Sequence, residues 1–128
     1  MAFLESKHSS GKDREFLTAS STTIVKGDAL VFASGYVTPA TAANTANNPI
    51  VIASEDVTTA AGEHKKILGL LVDPTLEFIA DCDAATAQAQ AGTSVKFKSA
   101  GVVDNATAGG NIKIIEVYPN KKALVKFA

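Results

Sequence analysis

The C-terminal sequence IKIIEVY-PNK-KALVKF, residues 112–127, decides the fold class. Two runs rich in β-branched and aromatic residues flank Pro119-Asn120-Lys121, an arrangement that is typical of a β-hairpin. Alternate residues of the second run share a face, with Ala123, Val125 and Phe127 on one side and Lys122, Leu124 and Lys126 on the other. We therefore predict a hairpin whose apolar face, ending at Phe127, lies in the core.

The chain upstream of this hairpin repeats the pattern of short apolar runs separated by turn-forming residues. Residues 29–33 and 36–38 flank Ser34-Gly35, which predicts a second hairpin. Residues 67–72 are continuously apolar, and the shortness of this run and Gly69 favour a central strand over a short buried helix. The remaining strand candidates alternate or are rich in β-branched residues: 22–25, 50–53, 76–80 and 95–98. This pattern predicts an all-β fold, a small antiparallel β-barrel or sandwich.

One short helix is predicted, at residues 83–92. Asp83 has the side chain of an N-cap, residues 84–91 are good helix formers, and Gly92 occupies the position that follows a helix. Because a helix of about eight residues is unstable alone, it must pack on the sheet. Further along the chain, Asp104 and Asn105 are expected at the corners of a β-turn.

Residues 1–21 are interpreted as an extended N-terminal arm that precedes a single β-domain at residues 22–128. No helical or strand period runs through residues 1–20. The arm is either a frayed terminus or a segment whose apolar side chains dock on a neighbouring molecule. The candidate contact residues of the second interpretation are apolar or basic: Phe3, Leu4, Lys7, Lys12, Arg14, Phe16 and Leu17.

Length, charge and cysteine content bear on the class of function. A chain of 128 residues fits one domain, and a net charge of −1 is unlike the basic surface of a nucleic-acid binder or a polybasic membrane patch. Cys82 is the only cysteine, so neither an intramolecular disulfide nor a thiolate zinc site is expected. The longest apolar run is too short to span a bilayer, and the N-terminus lacks the apolar core of a signal peptide. We expect a soluble protein made in a reducing compartment, with no nucleic-acid or membrane partner.

The sequence lacks the common motifs of catalysis, metal binding and phosphate binding. There is no Gly-x-Ser-x-Gly nucleophile motif and no P-loop. His8 and His64 lie in polar segments without a second ligand at metal-binding spacing, so His64 is interpreted as a solvated loop residue. Asp81 and Asp83 face the same way if they lie on a strand, which leaves a cation site open; helix capping by Asp83, with Cys82 as a small buried apolar group, is the simpler interpretation. We predict no catalytic residue, no metal ligand and no cofactor.

The segment at residues 101–109 resembles the uracil-reading hairpin of the trimeric dUTPases. That hairpin has the pattern Gly-x-x-Asp-x-x-Tyr-x-Gly, and Gly101, Asp104 and Gly109 match it. Thr107 stands in place of the tyrosine, so the base-stacking ring is missing. The Pro-Arg-Ser segment and the Gly-rich tail of those enzymes are missing as well. A degenerate dUTPase-like enzyme is kept as an alternative.

Three segments resemble the head decoration, or cement, proteins of tailed bacteriophages: VKGDALV at residues 25–31, SGYVTPA at residues 34–40 and IVIASED at residues 50–56. The Leu68-Gly69-Leu70 strand and the closing NKKALVKF sequence are similar in style and order, so the resemblance extends over residues 22–128. It implies a small β-barrel or β-tulip protein that decorates and stabilises a capsid by bridging major capsid subunits.

The same resemblance implies a homo-oligomer, with a trimer favoured and a dimer possible. Such a protein is made in the host cytoplasm and lies on the outer capsid surface of the virion. A phage tail or baseplate β-module is the other structural alternative. A carbohydrate-binding module is disfavoured, because such modules expose aromatic platforms and this chain has no tryptophan and two tyrosines.

Overall fold

The computed structural model describes residues 3–5, 13–44, 50–73 and 75–127. These residues form two main sheets and a short two-stranded ribbon. The strands are β1 (Phe3–Glu5), β2 (Asp13–Leu17), β3 (Thr23–Ile24), β4 (Ala29–Ala33), β5 (Tyr36–Pro39), β6 (Ile50–Ala53), β7 (Val57–Thr58), β8 (Lys66–Leu71), β9 (Phe78–Cys82), β10 (Ser94–Ser99), β11 (Val102–Ala108), β12 (Ile112–Tyr118) and β13 (Lys122–Phe127). The predicted all-β fold class is confirmed.

Five of the strands close into a small barrel. β9 pairs antiparallel with β13 and parallel with β11, β10 pairs with both β11 and β12, and β12 pairs with β13. Because these ladders lead back to β9, the five strands surround one core. β1 adds to β9 as an extra antiparallel strand outside this ring.

The predicted C-terminal hairpin supplies two of the barrel strands, β12 and β13, and its side chains fill the barrel. Ala123 and Val125 are fully buried, as predicted. The ring of Phe127 lies 5.7 Å from that of Phe78 and 6.0 Å from that of Phe97, measured between centroids. Buried aromatic contacts of this kind contribute beyond the area that they remove from water. The predicted register of the hairpin is therefore confirmed.

The second sheet has the strand order β2-β8-β6-β4-β5 and curls back on itself. An isolated parallel bridge between Thr18 and Val37 links the end of β2 to β5. One face of this sheet belongs to the barrel core and the other to a second cluster, which the β3–β7 ribbon joins through Ile24 and Val57. All four residues of β6 are buried because this strand contributes to both cores.

The β4–β5 hairpin is confirmed, together with its turn. Ser34 and Gly35 both have positive φ angles, 52° and 87°. Two successive residues in this region are the signature of a type I′ turn, whose twist matches that of the flanking strands. Ser34-Gly35 therefore marks the hairpin in the sequence because these two residues adopt the positive φ angles that the turn requires.

The helix predicted at residues 83–92 is wrong; this segment contains only a 3₁₀ turn at Gln88–Gln90. Ala87, in the middle of the predicted helix, is extended, with φ −135° and ψ 147°. The side chain of Asn105 bonds to the backbone N–H of Ala84 and to its carbonyl, and these bonds replace helical ones. Gly92 has a positive φ of 88°, which is the conformation expected of a residue that ends a helical turn.

Two further predictions are corrected. Asp104 and Asn105 do not form a turn; both lie inside β11. The expectation that no strand runs through residues 1–20 is also wrong, because β1 and β2 lie in that segment and pair with β9 and β8. β2 was not predicted because it is an outer strand. It partly buries one side chain, that of Phe16, and its sequence therefore shows no alternation of apolar and polar residues.

Candidate functional site

The structure places a lysine beside each carboxylate that was a candidate for a cation site. Asp81 accepts a hydrogen bond from Lys122, and Asp83 lies 3.9 Å from Lys98. Each carboxylate thus has a positively charged neighbour within the protein. Cys82 between them is buried, as predicted, and burial raises the pKa of its thiol. Among the described residues, no group of three or more His, Cys, Asp and Glu side chains is placed to hold a metal ion.

His64 is exposed but is held in place by two neighbours. Its Nδ1 lies 2.8 Å from the carbonyl oxygen of Thr18, and its ring stacks on Tyr36 at 4.0 Å with an interplanar angle of 10°. These contacts fasten the loop before β8 to the seam between β2 and β5. His64 thus has a structural role in addition to its solvent contact.

Asn105 is the polar residue whose importance the sequence did not reveal. It is 3% exposed, and its side chain accepts from the N–H of Ala84 and donates to the carbonyls of Ala84 and Ala85 and to the side chain of Gln90. The Gln90 amide in turn donates to the carbonyl of Asn105. This network ties the segment that follows β9 across the end of the barrel.

The segment that resembles a nucleotide-reading hairpin is a strand in this protein. Asp104 is opposite Lys96 in the β10–β11 ladder, and its carboxylate accepts from the N–H of Ala106 at 3.3 Å. Nearby, Asn44, Lys96 and Gly110 border a cleft of about 80 Å³. Sites for drug-sized ligands are several times larger, roughly 300–1,000 Å³.

The structure distributes the candidate arm residues over two strands. Phe3 and Leu4 lie on β1, in register with Ala80 and Ile79 of β9, whereas Lys7 and Lys12 lie outside the described residues. The other three are on β2: Arg14 opposite Gly69, Phe16 opposite Ile67 and Leu17 opposite Lys66. β2 thus brings the last three together and adds them to the second sheet.

The side chains of β2 alternate between the second core and solvent. Phe16 is half-buried, packs against the second core and contacts Phe32 edge-to-face at 5.9 Å. Leu17 points to the opposite face and is 47% exposed. Leu68 on β8, diagonal to Leu17 in the ladder, is 41% exposed. Glu15 and Lys66 are their register partners, so an exposed apolar pair lies between charged residues.

Among the described residues, β2 is an edge strand of the second sheet. Within the described residues it pairs along its length with β8 alone, and the bridge from Thr18 to Val37 lies just beyond its end. A free strand edge presents unpaired N–H and carbonyl groups to a partner. We refer to Glu15, Leu17, Lys66 and Leu68, which share the outer face of these two strands, as the β2 surface. Leu17 is the member of this surface that the sequence had predicted as a contact residue.

No helix in the described part of the chain is long and apolar enough to cross a membrane. Comparison of the chain with protein-family models, with curated proteins and with solved structures finds no match.

Proposed function

We propose that this protein is a structural component of a tailed-bacteriophage virion, which decorates the outer capsid surface and stabilises the shell by bridging major capsid subunits. The observation that carries the proposal is the β2 surface, where Leu17 and Leu68 are exposed on and beside what is, among the described residues, an edge strand. Apolar side chains next to unpaired backbone groups favour a protein partner that adds contacts to both. The sequence resemblance to head decoration proteins supports a capsid protein as that partner.

The architecture agrees with a protein that must persist outside a cell. Two cores share strand β6, and the barrel strands pair in a closed ring without any disulfide. Each β2 surface is small, so a single contact with the shell is weak. A homo-oligomer, with a trimer favoured and a dimer possible, would present several such surfaces, and multivalency would make attachment lasting.

The test is co-sedimentation of the purified protein with expanded shells of the phage that encodes it. The native chain should bind and raise the temperature at which the shells break. Replacing Leu17 and Leu68 together by serine should weaken binding at least about tenfold, since each loses roughly half of a buried side chain's 1.5–3 kcal/mol. Val25→Ser is the matched control, because Val25 is also 41% exposed but lies off the β2 surface. Failure of the native chain to bind shells would overturn the proposal.

Two alternatives give different results. A tail or baseplate module would be found by cryo-imaging on the tail and not on the shell. A dUTPase-like enzyme would hydrolyse nucleotide and lose turnover on Asp104→Asn, whereas we expect no hydrolysis above background from either form.

A further inference from the structure

A row of lysines crosses the outer face of the barrel on three neighbouring strands. Lys113 on β12 is directly opposite Lys126 on β13. On the other side of β12, Lys113 is opposite Ser94 of β10, and Lys96 is the next residue of β10 that points outward. We call Lys96, Lys113 and Lys126 the lysine row.

Folding alone does not account for this arrangement. Like charges directly opposite each other in a ladder are destabilising. Lys65, Lys98 and Lys122 each lie within 4 Å of a carboxylate, whereas no ion pair joins a member of the lysine row to another described residue. Even Asp104, opposite Lys96 in the ladder, bonds to the backbone of its own strand. Lys96 is exposed and Lys113 and Lys126 are partly exposed, so the row presents positive charge that no ion pair among the described residues balances.

An acidic turn lies on the other sheet. Glu55 and Asp56 are exposed, and each uses one oxygen to accept a backbone N–H, from Leu68 and from Lys26. Asp28 lies near enough to Asp56 that repulsion between them adds to the effect of burial in raising the pKa of Asp28. No ion pair within the described residues neutralises these carboxylates, so the turn keeps an excess of negative charge.

The two parts of the chain differ in net charge accordingly. Residues 13–73 carry seven carboxylates and four basic side chains, a net charge of −3. Residues 75–127 carry five carboxylates and six lysines, a net charge of +1. Two copies in head-to-tail orientation would therefore attract each other, with the barrel of one facing the acidic turn of the next.

We propose that the lysine row of one copy binds the acidic turn at Glu55 and Asp56 of a second copy. The inference rests on the homo-oligomer of the proposed function and names the surfaces that build it. If each copy binds one neighbour through its lysine row and another through its acidic turn, the contact is heterologous, and a rotation that closes gives a ring such as a trimer; two copies that exchange both contacts give a two-fold dimer. The β2 surface of each subunit then contacts the shell.

Charge reversal tests the contact in solution by analytical ultracentrifugation. The native chain should form an oligomer at low salt that dissociates as salt rises, because exposed charge pairs are screened. The variants K113E/K126E and E55K/D56K should each be monomeric. An equimolar mixture of the two should associate again into species in which the variants alternate, such as a dimer, because a three-membered ring cannot alternate them. Restored association also shows that both variants are folded. K121E reverses an exposed lysine in the β12–β13 turn, outside both patches and outside the β2 surface, and should leave the native oligomer intact.

Three results would overturn the inference: a native chain that stays monomeric at low salt and high concentration, a K113E/K126E variant that associates like the native chain, or a mixture that remains monomeric. Shell binding separates this failure from that of the proposed function. A chain that binds shells without forming the head-to-tail contact contradicts the inference alone. A chain that binds no shell contradicts the proposed function.

Discussion

Asn105 occupies an inward-facing position of β11, two residues after the buried Val103, where the strand pattern favours an apolar side chain. Its amide satisfies backbone groups of a segment that has no strand partner of its own. Burying a polar group is tolerated only when its hydrogen bonds are made, and this one makes bonds as both donor and acceptor. The residue thereby substitutes for secondary structure at the end of the barrel.

Asn105→Ala should lower the free energy of unfolding by about 1–3 kcal/mol, since it leaves the N–H of Ala84 without its acceptor. Urea denaturation followed by circular dichroism measures the change. Thr107→Ala, an exposed position on the same strand, is the control and should change stability by less than about 0.5 kcal/mol. Equal losses of unfolding free energy in the two variants would mean that the hydrogen bonds of Asn105 make no specific contribution to stability.

The carboxylates of Asp28 and Asp73 should affect stability with opposite dependence on pH. Burial, supplemented by repulsion from Asp56, raises the pKa of Asp28 despite its bond from the Val25 N–H. A raised pKa in the folded state means that the contribution of Asp28 is present in acid and is lost as pH rises through that pKa. Hydrogen bonds from Thr75 lower the pKa of Asp73, so its contribution is present at neutral pH and is lost on acidification.

We therefore expect Asp28→Asn to change the free energy of unfolding more favourably at pH 7 than at pH 3. The asparagine cannot ionise, and its side-chain oxygen can still accept the hydrogen bond from the Val25 N–H. Asp73→Asn should show the reverse, with its cost at pH 7 and little at pH 3. Unfolding free energies of the native chain and both variants at the two pH values give the comparison. If the effects of both substitutions on the free energy of unfolding changed with pH in the same direction, the causes assigned to the two pKa shifts would be contradicted.

Among the elements, β8 depends on a close approach to β6. A Cβ added at Gly69 would overlap Cγ1 of Val51 and would lie 3.6 Å from Cδ2 of Phe16. The ring of Phe16 thus covers the glycine from the neighbouring strand. The absence of a side chain at Gly69 lets three strands pack against the second core.

Gly69→Ala should cost about 1–3 kcal/mol of stability through overpacking. In a Val51→Ala background the same substitution should cost less, because the atom that it would strike is gone. A double-mutant cycle measured by urea denaturation isolates this coupling. Additive effects would show that Gly69 is required for another reason.

Predictability from sequence varied from element to element for physical reasons. The hairpin of β12 and β13 could be predicted because period-two alternation and its turn both act locally. The segment at 83–92 could not, because its conformation depends on Asn105, 21 residues from Ala84 in sequence. β2 has no periodic signal because it is an outer strand. The β2 surface was predicted in part: the sequence analysis named Leu17, but Leu68 joins this surface only through the β2–β8 register.

For the whole molecule, the first seventeen residues combine two roles that deletion can separate. Removing residues 1–12 takes away β1, whose partner β9 keeps its ladders with β13 and β11. Removing residues 1–17 also takes away β2. This deletion exposes the edge of β8 and removes the ring of Phe16, which covers Gly69. We expect the shorter deletion to keep its stability within about 1 kcal/mol and the longer one to lose about 2 kcal/mol or more, by urea denaturation.

Shell binding by the shorter deletion tests whether Phe3, Leu4, Lys7 and Lys12 fasten the protein to the capsid. Docking an apolar side chain contributes about 1.5–3 kcal/mol, and ordering each residue of an arm costs about 1–2 kcal/mol, so the net gain per arm is small. Several arms on one oligomer would still add up to lasting attachment. We therefore expect the chain without residues 1–12 to fold, to bind shells more weakly in co-sedimentation and to protect them less against heat. A Phe3→Ser/Leu4→Ser variant of the full chain should reproduce most of this loss if the apolar pair is responsible. If the shortened chain binds as tightly as the full one, the contact lies on the β2 surface and the first twelve residues have no part in it.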